Sequence, residues 1–130
     1  MYVCARIVAL MSPLPDMRQQ AVDAAIGVLD TAFFKALQEP ARIAVLRRLM
    51  LLGRADIGQI AEALPQERSV ISRHLQILQD AGIVCSCKQG RHRFYEVDGP
   101  AVLRSLQVIT ERLASITPFC CPAAASDRPE

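Results

Sequence analysis

Two short helix-like segments, with a strand-like hairpin directly behind them, constrain the fold of this chain more than any other feature. The first segment, 56–64, begins at Asp56, a good N-cap, and has Gln59 three residues later, as in a capping box. After a tight turn, the second segment, 67–81, carries apolar residues on one side and ends before a glycine. Residues 83–97 then form two strand-like runs around a glycine turn. Two short helices followed at once by a ribbon predict a winged helix-turn-helix.

The rest of the chain is helical in pattern and completes this fold. Apolar residues recur at three- and four-residue steps over 18–38 and over 100–117. A further helix has Pro40 in its first turn and stops at Gly53, the positions that these two residues favour. We therefore expect a mainly α protein with five helices and a β-hairpin wing.

Positive charge is concentrated in the middle of the chain. Residues 66–93 carry five Lys or Arg against two acidic residues, although the whole chain has a formal net charge of only +2. In a winged helix-turn-helix, the N-terminal residues of the second helix face base edges in the major groove, and the ribbon tip meets backbone phosphates. The side chains predicted to contact DNA are polar or basic, namely Gln66, Arg68, Ser69, Ser72, Arg73, His74, Lys88, Arg91 and Arg93.

Double-stranded DNA is therefore the predicted partner. The alternative is a winged-helix module that binds protein and never touches DNA. Such a module predicts an apolar or acidic face on the second helix, whereas this helix is polar and basic there. An enzyme is not expected, because the chain has no phosphate-binding loop, no acidic pair and no cysteine at a suitable spacing from a histidine.

Three stretches resemble the ArsR/SmtB family of bacterial sensor-repressors, and the similarity covers residues 31–117. They are FKALQEPARI at 34–43, SVISRHLQILQDAGIV at 69–84 and GRHRFY at 90–95, which are similar to the family's second helix, recognition helix and wing. The resemblance implies a homodimer formed by the first and last helices, a two-fold operator, and repression that ends when an effector binds. The expected organisation is an arm over 1–17, a DNA-binding and dimerisation domain over 18–117, and a cysteine-containing tail over 118–130.

Hydropathy and cysteine usage indicate the compartment. No segment reaches the roughly 18 apolar residues of a membrane helix, and the apolar start, Met1 to Met11, lacks the features of a signal peptide. We therefore expect a cytoplasmic protein with no membrane partner. The five cysteines, an odd number, then point to free or metal-bound thiols in a reducing compartment.

The metal sites of well-known family members have no counterpart at the matching positions. Residues 54–60 contain no cysteine, and residues 100–117 contain no histidine. Cys120 and Cys121 are adjacent and suit a thiophilic ion that takes three thiolates, such as trivalent arsenic or antimony. Some arsenite-responsive members resemble this chain in that pair but have a third cysteine downstream. Cys4 is the candidate third ligand here, if the arm of one subunit lies beside the last helix of the other. We expect that effector, and no cofactor required for DNA binding.

Cys85 and Cys87 are an alternative metal-binding pair, because residues two apart on a strand share one face. They could instead pack as small buried residues. A redox or sulfur-species switch is the alternative to metalloid sensing, since oxidation of two thiols would also change the dimer and its affinity for DNA.

Overall fold

A computed structural model describes residues 15–120 of the chain, and the side chains of 16–119. Residues 30–105 form one compact unit, and residues 15–29 with 106–120 belong to the other. The elements in chain order are α1 (Pro15–Leu29), α2 (Ala32–Ala36), α3 (Pro40–Leu52), β1 (Arg54–Asp56), α4 (Ile57–Ala61), α5 (Arg68–Asp80), β2 (Val84–Gln89), β3 (His92–Val97) and α6 (Gly99–Cys120). This architecture confirms the predicted fold class, a mainly α winged helix-turn-helix.

Helices α3, α4 and α5 pack against one another and against the sheet. The largest fully buried side chains of the described residues come from these three helices and are Val45, Leu49, Ile60, Ile71, Leu75 and Leu78. Helix α3 has Pro40 in its first turn and ends at Gly53, whose N–H bonds to the Leu49 carbonyl at 2.9 Å and whose φ of 78° turns the following chain out of the helix. Both boundaries agree with the sequence prediction.

Arg42 ties α3 to the helix before it. Its Nη1 donates to the Ala36 carbonyl at 3.0 Å and to the Lys35 carbonyl at 3.3 Å. The last carbonyls of a helix have no partner within the helix, so the guanidinium satisfies the end of α2. This contact gives a structural reason for an arginine two residues after Pro40.

The wing comprises β2, a two-residue turn and β3, and it belongs to a three-stranded antiparallel sheet with strand order β1-β3-β2. Gly90 opens the turn with a φ of 62°, as the first central residue of a type II′ turn requires. Strand β1 was not predicted from the sequence. It pairs with β3 and buries Ala55 opposite Tyr95.

The single helix predicted over 18–38 is interrupted. Thr31 has an extended backbone, with φ −122° and ψ 159°, and separates α1 from α2. Its carbonyl accepts the Lys35 N–H at 3.1 Å, and the Lys35 Nζ lies 2.9 Å from the Asp30 carboxylate. Asp and Thr favour helix boundaries because their short side chains compete with the helical backbone. The apolar spacing continues across this break, which is why it predicted a single helix.

The last helix begins as predicted, with the Ala101 N–H donating to the Asp98 carboxylate at 3.1 Å. The predicted end at Pro118 is wrong, because α6 continues to Cys120. Pro118 removes one backbone hydrogen bond, and the helix continues for two residues beyond it. Arg18 Nη2 donates to the Phe119 carbonyl at 3.1 Å, and a cation at a helix C-terminus is stabilising.

The two longest helices each leave apolar side chains exposed. On α1 and α6 these are Met17, Ile26, Leu29, Leu103, Leu106 and Val108. A search of the described residues found no helix with the length and hydropathy needed to cross a membrane.

Candidate nucleic-acid interface

Helix α5 is held to the domain by one apolar side. Ile71, Leu75 and Leu78 are inaccessible to solvent, and their three- and four-residue spacing puts them on one face of the helix. The polar residues of the helix therefore face outward. The sequence predicted this division between an apolar and a polar side.

The outward face of α5 carries a row of short and basic side chains. Ser69, Ser72 and Arg73 are all exposed, as is Arg68 at the start of the helix. Gln76 extends the row by another turn and donates to the Asp80 carboxylate at 2.8 Å. Sequence reasoning missed Gln76, although its spacing of three and four residues from Arg73 and Ser72 could have identified it.

Two other predicted contact residues lie off this row. Gln66 and His74 are half-buried, and neither the Gln66 Oε1 nor the His74 Nδ1 has a hydrogen-bond partner within the described part of the chain. His74 lies on the flank of α5 that also carries Val70 and Ile77. The structure therefore does not bring these two side chains into the exposed row.

Asp56 fixes the start of the helix that precedes α5. Its carboxylate accepts the Gln59 N–H at 2.9 Å, and the Gln59 side chain accepts the Asp56 N–H at 3.0 Å. This is the capping box that the sequence predicted. Next to it, a Cβ added to Gly58 would lie 3.3 Å from the Asp56 Oδ1 and 3.5 Å from the Arg68 Nη2. The glycine therefore leaves room for the Arg68 guanidinium beside the cap.

The wing presents its basic residues near the tip. Lys88 and Arg93 are opposite each other, Arg91 is in the turn, and all three are exposed. Arg93 Nη1 donates to the Ser86 Oγ at 3.1 Å, and the Ser86 hydroxyl donates to the Gln79 Oε1 of α5 at 3.0 Å. These two bonds connect the wing to the helix.

A single open cleft joins the two predicted DNA-binding elements. It lies within the 30–105 unit and has a volume of about 540 Å³. Its lining residues come from α5, the wing and the start of α4, and are Asp56, Ile57, Gly58, Arg68, Ser72, Arg91, His92, Arg93 and Tyr95. We call this the wing cleft. It brings four of the predicted contact residues onto one surface.

One carboxylate lies among these cations. The Asp56 Oδ2 is 3.8 Å from the His92 Nδ1, and the Asp56 side chain is 25% exposed. Asp56 is the acidic residue among those that line the wing cleft. Its negative charge opposes the approach of a polyanion, while its oxygens hold the cap of α4.

Cys85 and Cys87 lie on the face of the sheet that does not carry Ser86, the residue between them that bonds to α5. Cys85 is opposite Glu96, and Cys87 is opposite Phe94. Cys85 is half-buried and Cys87 is exposed, so neither belongs to the core. Burial, together with the negative charges of Glu96 and Asp98, raises the pKa of the Cys85 thiol. The Cys87 Sγ accepts a hydrogen bond from the Arg54 Nη2 at 2.9 Å.

The structure does not describe the side chains of the other predicted thiol ligands. Cys4 and Cys121 lie outside the described residues, and Cys120 ends α6 with its side chain outside them as well. Within the described residues, no group of three or more His, Cys, Asp or Glu side chains is arranged to hold a metal ion.

Comparison with known proteins identifies similar chains. The family model described as bacterial regulatory protein, arsR family, matches residues 39–86. An HTH-type transcriptional regulator of Methanocaldococcus jannaschii is 33% identical over 78 residues, 60% of this chain and 88% of that protein. The arsenical resistance operon repressor of Escherichia coli is 29% identical over 84 residues, 65% of this chain and 72% of the repressor.

Solved structures with the same fold agree with these family and sequence matches. The crystal structure of an ArsR family transcriptional regulator has a TM-score of 0.54 and 28% identity, covering 64% of this chain and 90% of the other. A possible transcriptional regulator for arsenical resistance also has a TM-score of 0.54, with 27% identity over 72% of this chain and 98% of its own. The relatives are named as regulators of transcription, in agreement with the expectation that the chain is not an enzyme.

Proposed function

Because the chain belongs to the arsR family of bacterial regulatory proteins, we propose that it represses transcription as a homodimer bound to double-stranded operator DNA. One observation carries this proposal. The wing cleft combines Arg68 and Ser72 of α5 with Arg91 and Arg93 of the wing on one surface. A groove lined by basic side chains from two elements fits a phosphate backbone that passes between them.

The two elements have different tasks in this proposal. The exposed row on α5, with Ser69, Ser72 and Arg73, enters the major groove, where hydroxyl and guanidinium groups distinguish base edges. Lys88, Arg91 and Arg93 bind backbone phosphates and set the register of the helix. The row also includes Gln76. Gln66 and His74 are half-buried and lie beside this row, so their role is to support the residues that contact DNA.

DNA binding is tested by fluorescence anisotropy with labelled DNA from upstream of the protein's own gene. Arg73→Ala should weaken specific binding by about 10- to 100-fold, the effect of losing a good base contact. Arg47→Ala is the matched control, because Arg47 is also exposed but lies on α3, outside the wing cleft and outside the proposed dimer helices. Equal affinities of the two variants would remove Arg73 from the contact set.

Dimerisation through α1 and α6 is supported by their exposed apolar residues, which include Ile26, Leu29, Leu103 and Leu106. Exposed apolar surface of this kind is usually covered by a partner. Light scattering after gel filtration tests the proposal with Leu106→Asp, which should give monomers. Leu51→Asp is the control, because Leu51 is 65% exposed but lies on α3. A dimer that persists in Leu106→Asp would contradict this interface.

The effector proposed is trivalent arsenic or antimony, bound by Cys120, Cys121 and Cys4. Adjacent thiols suit an ion that takes three thiolates, and the E. coli relative is named an arsenical resistance operon repressor. Cys85 and Cys87 are the alternative pair, but they supply only two sulfur atoms. A redox or sulfur-species switch is the second candidate, because oxidation of exposed thiols such as Cys87 is chemically accessible.

Titration of the reduced protein–DNA complex with arsenite, antimonite, zinc and peroxide separates these effectors. Release by arsenite or antimonite that is lost in Cys120→Ser/Cys121→Ser supports the tail site. A Cys85→Ser/Cys87→Ser variant serves as the control and should still respond. Release by peroxide alone would contradict the metalloid proposal and favour the thiol switch. A chain that binds no DNA under any condition would favour the protein-interaction module.

A further inference from the structure

We propose that Cys85 and Cys87 form a binding site for a soft monovalent cation that prefers two thiolate ligands, such as Cu(I). The site lies on the face of the wing sheet that does not carry Ser86. It is distinct from the three-thiolate effector site proposed above, and it does not depend on binding to an operator.

The backbone puts the two sulfur atoms within reach of one ion. Residues two apart on a strand point to the same face, and their Cα atoms are about 6.6 Å apart. The positions opposite Cys85 and Cys87, Glu96 and Phe94, confirm that both cysteines share this face. Two metal–thiolate bonds of about 2.3 Å in a line span about 4.6 Å, so a small inward tilt of both side chains closes the site.

Both thiols are open to an incoming ion. Cys87 is exposed and Cys85 is half-buried. Their present contacts are few: the Cys85 Sγ is 3.7 Å from the Glu96 carbonyl oxygen and 3.8 Å from its Oε1, and the Cys87 Sγ accepts from Arg54. These distances leave the sulfur lone pairs accessible, whereas a core position would have enclosed them.

Arg54 determines the charge of the ion that fits. A monovalent ion with two thiolates forms a complex with a net charge of −1, and a cation beside it stabilises that charge. The Arg54 Nη2 is already 2.9 Å from the Cys87 Sγ. The Arg54 guanidinium also lies 5.1 Å from the centre of the Phe94 ring, which holds it over the sheet by a cation–π contact.

The coordination number follows from what surrounds the pair. Structural zinc takes four ligands, and trivalent arsenic takes three thiolates. No group of three or more metal-binding side chains occurs in the described part of the chain. The oxygen atoms beside Cys85 are the Glu96 carbonyl and the Glu96 carboxylate, hard donors that a soft ion disfavours. Two thiolates alone suit an ion with linear coordination.

Binding is a ligand exchange with no change of oxidation state. The Cys85 and Cys87 thiols each form a bond to Cu(I), and each releases its proton to solvent. Two neutral thiols and one Cu(I) ion give one anionic dithiolate complex and two protons. The Cu(I) leaves its previous carrier, which is a soluble chelator in the experiment below.

The test uses the full-length chain with Cys4→Ser, Cys120→Ser and Cys121→Ser as background, so that only the wing thiols remain. The reduced protein is titrated without oxygen into the Cu(I) complex of bathocuproine disulfonate, and the loss of chelator absorbance reports transfer. We expect one ion to be transferred per chain. Cys85→Ser and Cys87→Ser should each abolish the transfer, and Ser86→Ala, between them, should leave it unchanged.

Two charge variants test the role of Arg54. Arg54→Gln should weaken Cu(I) binding and Glu96→Gln should strengthen it, because they remove opposite charges beside the pair. Circular dichroism checks that each variant is folded, and protection of the two thiols from a disulfide reagent gives a second readout in the background chain. The proposal is overturned by a background chain that takes no ion, by a Cys87→Ser chain that still binds, by one ion bridging two chains, or by an unchanged affinity in Arg54→Gln.

Discussion

Replacement of Asp56 should affect stability and DNA binding in opposite directions. In Asp56→Ala the start of α4 loses the acceptor of the 2.9 Å bond from the Gln59 N–H. Loss of an N-cap costs about 1 kcal/mol, within a range of about 0.5–2 kcal/mol, which lowers the Tm of a domain of this size by about 4 °C. The Asp56→Asn chain keeps an acceptor oxygen, and asparagine is as good an N-cap as aspartate.

The charge of Asp56 accounts for the second effect. The Asp56 carboxylate lies in the wing cleft with Arg68, Arg91 and Arg93. A phosphate about 7 Å away is repelled by about 0.6 kcal/mol in a water-like dielectric, or about threefold in affinity per subunit at low salt. Both variants remove that charge, so both should bind DNA more tightly than the parent chain, and the gain should shrink as salt screens it.

The assay pairs thermal unfolding at a fixed protein concentration with operator anisotropy at low and moderate salt. Asp56→Asn should be as stable as the parent, and Asp56→Ala less stable, while both gain affinity. Equal destabilisation of the two variants would refute the capping argument. Unchanged or weaker DNA binding in Asp56→Asn would refute the assignment of the wing cleft to DNA.

Three further changes test other parts of the structure. Gly90→Ala should weaken operator binding and lower the free energy of unfolding in urea by about 1 kcal/mol, because alanine is strained at a φ of 62°. Unaltered binding would argue against a role for the wing tip. Lys88→Ala should lower the slope of log affinity against log salt by about 0.9 per phosphate contact, and an unchanged slope would mean that Lys88 makes none. Leu75→Ala should lower the free energy of unfolding in urea by about 2–5 kcal/mol, because its side chain is wholly buried, whereas Leu51→Ala, 65% exposed and outside the proposed dimer interface, should lower it much less; similar losses would contradict the assigned core.

The central part of the fold was predictable because local chemistry and tertiary packing agree there. Asp56 and Gln59 form the expected capping box, and Gly53 ends α3 as expected. The apolar side of α5 also matches the buried residues. Each of these signals depends on nearest neighbours in sequence, so no knowledge of the rest of the structure was needed.

The errors occur where distant contacts decide the structure. Strand β1 has only three residues, Arg-Ala-Asp, with no strand propensity, and it exists because β3 lies beside it. The break at Thr31 is hidden by apolar spacing that continues on both sides. Helix α6 passes Pro118, where Arg18 of another helix bonds the Phe119 carbonyl.

The candidate site was predictable in its residue types and less so in its geometry. Helical spacing could have added Gln76 to the row on α5, but it could not show that Gln66 and His74 are half-buried. Arg54 was not expected at any site, because its contact with Cys87 spans 33 residues of sequence and depends on the unpredicted strand. Asp56 was predicted as a cap, and only the structure places its carboxylate in the wing cleft.

The direct continuation of β1 into the cap of α4 limits where the chain tolerates changes of length. A residue inserted between Gly53 and Asp56 would shift Ala55 out of register with Tyr95 and remove Asp56 from the start of α4 at the same time. A residue inserted in the turn at Gly90 would only lengthen the ribbon beyond its last pair. Insertions and deletions should therefore collect at the hairpin tip, where they alter how far the protein reaches along a duplex while the rest of the domain stays intact.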